Sequence, residues 1–283
     1  MLKYTFLTLC LFTLCLAGCE ESNIQLATEA GIDAVKAITL SEEAVQNMAR
    51  QSSAYADSQH SIAPADNAYA KRLKRLVGNH HQEGGIDFSY KVYLAKEVNA
   101  FAMADGTIRI YSGLMDMLND DELRFVIGHE MGHIAMKHIH KKLQLAYGST
   151  AVRKAIASIN STAGEIARSQ LGEFVQVLIG AQFSQLEEKE ADDYGLTFMK
   201  NMGYDTGAAV SALEKLSTLG NDHSFLSSHP APGKRAERIK LQLEGKLSST
   251  EEQKDGILNK FSKLLVVAQE KLLAVITWAK RFL

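Results

Sequence analysis

Apolar positions recur at helical spacing along most of the chain and switch once, near its first third, to alternation with period two. Residues 5–16 form an apolar run behind Lys3, too short to cross a bilayer as a stop-transfer helix. Residues 20–60 are polar and Ala-rich and carry a first helix that starts near Ser41. Residues 66–77 read as an amphipathic helix with Tyr69, Leu73, Leu76 and Val77 on one face and a solvated face of Lys71, Arg72, Lys74 and Arg75. Residues 88–94 alternate as a strand, residues 99–103 form a second, and the Asp105-Gly106 turn leads into a third at 107–111. Helix resumes at 114–118. The acids of Asn119-Asp120-Asp121-Glu122 then sit at the positive end of a helix expected over 121–144. A second long helix spans 169–202, with Gly180 as a weak point and Gly203 as its end. Helices at 206–219 and 234–243 flank a loop containing Ser227-Ser228-His229-Pro230.

Composition agrees with this pattern. The chain has 283 residues, of which 20 are Gly and 3 are Pro, and Ala, Leu, Glu, Lys and Gln are abundant. The expectation is a mainly α fold with a small β-sheet (α+β). A formal net charge of -2 offers no basic face for nucleic acid. Residues 257–283 are apolar but interrupted by Lys263, Glu270, Lys271, Lys280 and Arg281, which argues against a simple transmembrane helix. That segment reads as an amphipathic helix packed on the domain, or as one that lies on a membrane or holds a partner through Trp278 and Phe282.

The N-terminal run ends in Leu16-Ala17-Gly18-Cys19 followed by Glu20-Glu21-Ser22-Asn23, which resembles a bacterial lipoprotein signal in which the cysteine is acylated and becomes the first residue. An ordinary secretory signal or an N-terminal anchor helix is the plainer alternative. On the lipoprotein reading Cys10 and Cys15 leave with the signal and Cys19 carries lipid, so no thiol remains for a disulfide. Glu20 is not the Asp associated with inner-membrane retention, so the resemblance to a lipoprotein implies the inner leaflet of the outer membrane, facing the periplasm. The organisation expected is a signal at 1–18, a lipid-proximal linker and first helix at 19–60, a catalytic domain at 61–245, and a C-terminal amphipathic segment at 246–283.

The chemistry is carried by His129-Glu130-Met131-Gly132-His133. On a helix, residues four apart share a face, and two imidazoles so placed can hold one Zn²⁺ at about 2.0–2.1 Å each. Glu130, one residue after the first ligand, reaches a water on the metal and serves as general base. Phe125, Val126, Ile127, Ile134 and Ala135 make this helix a buried one, where two His and a Glu would be costly without a partner. A third ligand comes from Gln185-Leu186-Glu187-Glu188-Lys189-Glu190-Ala191-Asp192-Asp193. Glu188 is the choice, because Asp192 lies one turn on and can orient a ligating histidine through its other ring nitrogen. Glu187 and Glu190 are left to an exposed charged face, and Asp193 has no role in this scheme.

These motifs resemble the helical zinc endopeptidases of the HtpX, Oma and CAAX-prenyl-protease type, over roughly residues 99–238. The resemblance rests on Asn99-Ala100-Phe101-Ala102, Gly106, Gly113-Leu114, His129-Glu130-x-x-His133, Phe183-Ser184-x-x-x-Glu188-x-x-Ala191-Asp192 and Ser228-His229-Pro230 with a downstream Arg. Gln185 departs from it, since an Arg usually follows the Ser. The acylated, compact form is similar to the LoiP- and BepA-type periplasmic members, and the absence of tetratricopeptide repeats after Gly245 sets it nearer the former. The resemblance implies a zincin-like domain with its active-site helix against a short sheet, one Zn²⁺ per chain, and protein substrates in the envelope, of the class of misfolded or stalled outer-membrane proteins. An assembly-machinery partner and a non-catalytic chaperone-like lipoprotein are the other readings.

Three further expectations concern the cleft. His229 is a donor to the oxyanion, an inhibitory fourth ligand, or merely an exposed loop histidine. Arg235 and Arg238 are donors of the same kind or pair with nearby acids. Residues 99–102 (Asn99, Ala100, Phe101, Ala102) are either an ordinary central strand or the cleft edge on which a peptide adds as a strand. His138 and His140 cannot reach the metal from a straight helix and are expected in solvent.

Overall fold

The computed structural model describes residues 42–146, 182–220 and 223–246, with helical positions at 172, 175, 176 and 178–180. Cys19, the signal, the proximal linker and residues 257–283 lie outside the described residues. The first helix, α1 (Glu42–Gln59), is followed by α2 (Ala68–Val77), which starts where the Asn67 side chain accepts from the Tyr69 amide. A two-stranded ribbon pairs β1 (Gln82–Glu83) with β2 (Ile86–Asp87). The main sheet has the order β3 (Ser89–Tyr93), β5 (Thr107–Tyr111), β4 (Ala100–Ala102); β3 runs parallel to β5, and β4 antiparallel to it. The result is mainly helical with a small sheet, as expected. β4 is an edge strand, not a central one.

Next come α3 (Ser112–Met117), α4 (Asp120–Ala135), α5 (His138–Ala146), α6 (Gln185–Asn201), α7 (Gly207–Leu216), α8 (Ser224–Ser228) and α9 (Pro232–Leu243). Both long helices expected from the pattern are shorter than their apolar runs. The helix expected over 121–144 divides, because Lys137 takes a left-handed backbone (φ 58°) and α5 leaves in a new direction. The one expected over 169–202 yields to a fresh start at Ser184, where Ser184 and Glu187 form a capping box. Among the described residues no helix is long and apolar enough to cross a membrane.

The core runs from α1 through the sheet to α4, α6 and α7, and includes Met48, Ile108, Ile110, Phe125, Met131 and Leu213. α4 packs against β4 and β5 on one side and along α6 on the other. The α4–α6 approach is close because it is lined by small residues. A Cβ on Gly132 would meet the Ala191 Cα at 3.0 Å and the Tyr194 Cβ at 3.0 Å, so only glycine permits that spacing. The basic face of α2 is not wholly solvated: Arg72 pairs with Asp120 at 2.7 Å and donates to the Met115 and Leu118 carbonyls, which ties α2 to the start of α4.

Candidate metal centre

Helix α4 is anchored at its N-terminus by a second capping box. The Asn119 side chain accepts from the Glu122 amide at 3.0 Å, and the Asn119 amide donates to Glu122 Oε2 at 2.7 Å. Glu122 also takes hydrogen bonds from Lys215 and Ser211 of α7. With its start fixed, the helix delivers His129, Glu130 and His133 into the interior, where each is at most 2 % exposed. The opposing helix α6 supplies Glu188 and Asp192 from the face toward α4, both buried.

Four ligating side chains converge. Donor atoms of His129, His133, Glu188 and His229 all lie within 4.8 Å of one another. His129 Nε2 and His133 Nε2 are 3.0 Å apart, His133 Nε2 is 3.3 Å from Glu188 Oε1, and His229 Nδ1 is 3.0 Å from the same oxygen. His129 Nδ1 meets Asp192 Oδ1 at 2.9 Å. Burial alone would raise the Asp192 pKa, but the Arg235 charge and the His129 hydrogen bond outweigh it and hold the carboxyl ionised. An ionised acceptor puts the proton on His129 Nδ1, which turns the Nε2 lone pair toward Glu188 and His133. Glu188 is likewise held well below the usual range: burial opposes ionisation, and the Arg235 charge with hydrogen bonds from His133 and His229 overrides it. Burial drives the His133 pKa well below its ordinary value, which leaves that ring neutral.

The donor set fits a divalent metal, since imidazole nitrogens, among them the neutral His133 ring, and an ionised Glu188 are the ligand types such an ion takes. Glu130 stands beside this group with Oε1 buried and without a hydrogen-bond partner among the described residues. A buried carboxylate oxygen with no donor is costly unless a bound group uses it.

The comparisons with known proteins point the same way. Residues 65–242 match the model of peptidase family M48. Metalloprotease LoiP of Escherichia coli is 43% identical over 230 residues, covering 80% of this chain and 90% of that protein. Metalloprotease YcaL of the same organism is 38% identical over 233 residues, with 80% and 91% covered. The beta-barrel assembly-enhancing protease of E. coli is 26% identical over 179 residues, covering 59% of this chain and 37% of that protein. The chain belongs to peptidase family M48. It is a metalloendopeptidase, and its substrates are proteins or peptides.

Within this M48 peptidase several side chains stand elsewhere than the sequence suggested. His138 is buried, not solvated: the break at Lys137 returns its Nδ1 to 3.0 Å from His133 Nδ1, while its Nε2 meets Glu190 Oε2 at 3.0 Å. His140 is also largely covered, 3.5 Å from Glu42. Glu190 is therefore occupied, and Glu187 is buried in its capping box, so neither belongs to an idle exposed face. Asp193 pairs with Arg238 and Lys189. Arg235 is a buried bidentate partner of Asp192 and also grips Glu188. Gln185 lies exposed on the first turn of α6. His229 is not a free loop residue: it is buried, it caps α8 by donating its backbone N–H to the Phe225 carbonyl, and it stacks on the Phe225 ring at 4.8 Å.

A cleft of about 310 Å³, its solvent mouth included, opens beside Glu130 and His229. Phe101, Ala102 and Met103 at the β4 end line one side, and Ile139, Lys142 and Phe183 line another. Of the four strand residues expected at the cleft, Phe101 and Ala102 line it. Asn99 and Ala100 do not; Asn99 spends its side chain on the Ala100 amide. Missed from the sequence were Lys142 and the pairing of Phe183 with His133, whose rings stack at 3.7 Å. Burial lowers the Lys142 pKa to about 8 against the pull of Glu130, Glu188 and Glu187.

Proposed function

We propose that this M48 metalloendopeptidase is zinc-dependent, with His129, His133 and Glu188 as the ligands and Glu130 as the general base. The observation that carries the reading is the buried Glu130 Oε1, without a hydrogen-bond partner among the described residues, beside the converged donor atoms of His129, His133, Glu188 and His229. A purely structural site would have no use for that carboxylate. Zinc, when bound, supplies Lewis-acid polarisation of the scissile carbonyl and acidifies water.

The chain's own residues do the rest. Asp192, clamped by Arg235, fixes the His129 tautomer and ring angle. Glu130 Oε1 takes a proton from the attacking water as its oxygen bonds to the carbonyl carbon, and returns that proton to the amide nitrogen as the C–N bond breaks. His229 Nε2, 3.5 Å from Glu130 Oε1, is placed to donate to the oxyanion. Its Nδ1 contact with Glu188 also supports a latent state in which His229 blocks the centre and must move aside. Comparing zinc coordination in the wild type and in His229→Ala separates these roles. The β4 edge beside the cleft, with residues 99–102 as its main chain, would take a peptide as an added strand, so that recognition is largely main-chain.

We infer further that the enzyme acts on cell-envelope proteins, in quality control of misfolded or stalled outer-membrane proteins, from a lipid tether at Cys19 on the inner leaflet of the outer membrane. The lipoprotein-like Leu16-Ala17-Gly18-Cys19 run supports the tether, and the name of the beta-barrel assembly-enhancing relative supports the substrate class. Acylation is tested by labelled-palmitate incorporation, expected in the wild type and absent from Cys19→Ala; label retained in that variant would contradict the tether. Glu130→Gln tests the catalytic reading against a chaperone-like assembly role: zinc is retained and proteolysis falls at least a hundredfold, toward the lower end of general-base contributions. Unchanged proteolysis in a clean preparation would contradict it.

A further inference from the structure

Lys142 has no counterpart in the chemistry just described. It projects from α5 into the cleft, is 9% exposed, and makes no hydrogen bond or ion pair among the described residues. Its ammonium lies 3.4 Å from the centre of the Phe183 ring, and Phe183 stacks on His133, so the charge sits one ring away from the metal centre. Long cations are seldom buried without an anion, and an aromatic face compensates only part of the lost hydration.

The neighbouring charges are already matched. Arg235 is committed to Asp192 and Glu188, and Glu187 is answered by Lys141 at 3.3 Å. Once a divalent ion is held, it, Arg235 and Lys142 carry four positive charges against the three carboxylates of Glu130, Glu188 and Asp192. One positive charge is left over beside the cleft. An anion brought by the substrate would complete it. The apolar walls of Phe101, Met103 and Phe183 beside the ammonium fit an acidic group carried on an otherwise apolar peptide.

We propose that Lys142 is a specificity-determining residue that binds a substrate carboxylate at one fixed distance from the scissile bond. The proposal rests on the endopeptidase reading above. The carboxylate belongs either to an Asp or Glu side chain or to the substrate's own C-terminus, and the chemistry at Lys142 is the same for both.

The test uses the zinc-loaded full chain and acetylated fluorogenic peptides of one apolar sequence. Each carries a single Glu or its Gln counterpart at successive positions, with the C-terminus amidated or free. The wild type is expected to cleave one Glu peptide, or the free-acid form, about tenfold better in kcat/KM than its neutral twin, in line with a hydrogen bond to a charged group. A Glu preference with the amide form identifies a side chain; a preference confined to the free acid identifies the chain end. Lys142→Met should bring that ratio to about one, Lys142→Arg should restore it, and Lys142→Glu should invert it in favour of a Lys peptide. If every acidic and neutral pair is cleaved equally by the wild type, or if Lys142→Met slows both by the same factor, Lys142 merely balances the site and the proposal fails. No cleavage of any peptide by the wild type would instead overturn the endopeptidase reading.

Discussion

Asp192 joins a histidine of the candidate metal centre to a buried arginine. It accepts from His129 Nδ1 and from two nitrogens of Arg235, and every one of these groups is buried. Asp192→Asn should cost 10- to 100-fold in metal affinity, in the range for carboxylates that orient ligating histidines. Competition with a graded series of chelators measures it, and an unchanged dissociation constant would remove Asp192 from this role. Glu188 and Asp192 were legible in the sequence because a helix puts residues four apart on one face. His138 was not, since the straight helix that seemed to carry it into solvent turns at Lys137. Nor was Arg235, whose part depends on α9, packed along α7, bringing its guanidinium to an Asp192 that is 43 residues away in the chain.

At the level of elements, α4 and α6 lie close enough for His129, His133 and Glu188 to meet, and the end of α8 adds His229. Gly132→Ala should gain about 1 kcal/mol in helix propensity. Its new Cβ would press on the Ala191 Cα and carbonyl oxygen at 3.0 and 3.1 Å, and overpacking costs about 1–3 kcal/mol where the neighbour is backbone. The clash wins, by about 1 kcal/mol, seen as a lower Tm. Activity should fall further than stability, because the shift separates Glu188 from His133. A variant with raised Tm and full activity would show that the helices have room. The sequence carried both helices but not their ends. Ser184-x-x-Glu187 is a readable capping box, masked by the apolar run that precedes it. The three strands of the main sheet were read within a residue or two, from their alternation and the Asp105-Gly106 turn, whereas the two-residue strands of the ribbon are too short to show a pattern.

Across the whole molecule, Asp57 ties α1 to the sheet through Arg109, Lys91 and Tyr93 at 2.6–3.1 Å. Burial pushes the Asp57 pKa up, and the three donors overcome it to hold the carboxyl at about 2, against an ordinary 3.8. A pKa depressed on folding contributes stability that is complete above about 3.8 and lost as pH falls toward 2. Acid titration of the wild type should show that loss, and Asp57→Ala should flatten it. The same variant leaves Arg109 buried without its carboxylate and should cost about 3 kcal/mol near neutral pH by denaturant unfolding. An identical acid limb in both proteins would discount Asp57.

The central claim is that His129, His133 and Glu188 hold one zinc on which Glu130 does its work. Zinc content measured by mass spectrometry alongside casein digestion, for the wild type, Glu130→Gln and Glu188→Ala, tests it most directly. One zinc and digestion are expected in the wild type, one zinc without digestion in Glu130→Gln, and neither in Glu188→Ala. Digestion that survives in Glu130→Gln, or zinc retained at full stoichiometry in Glu188→Ala, would contradict it.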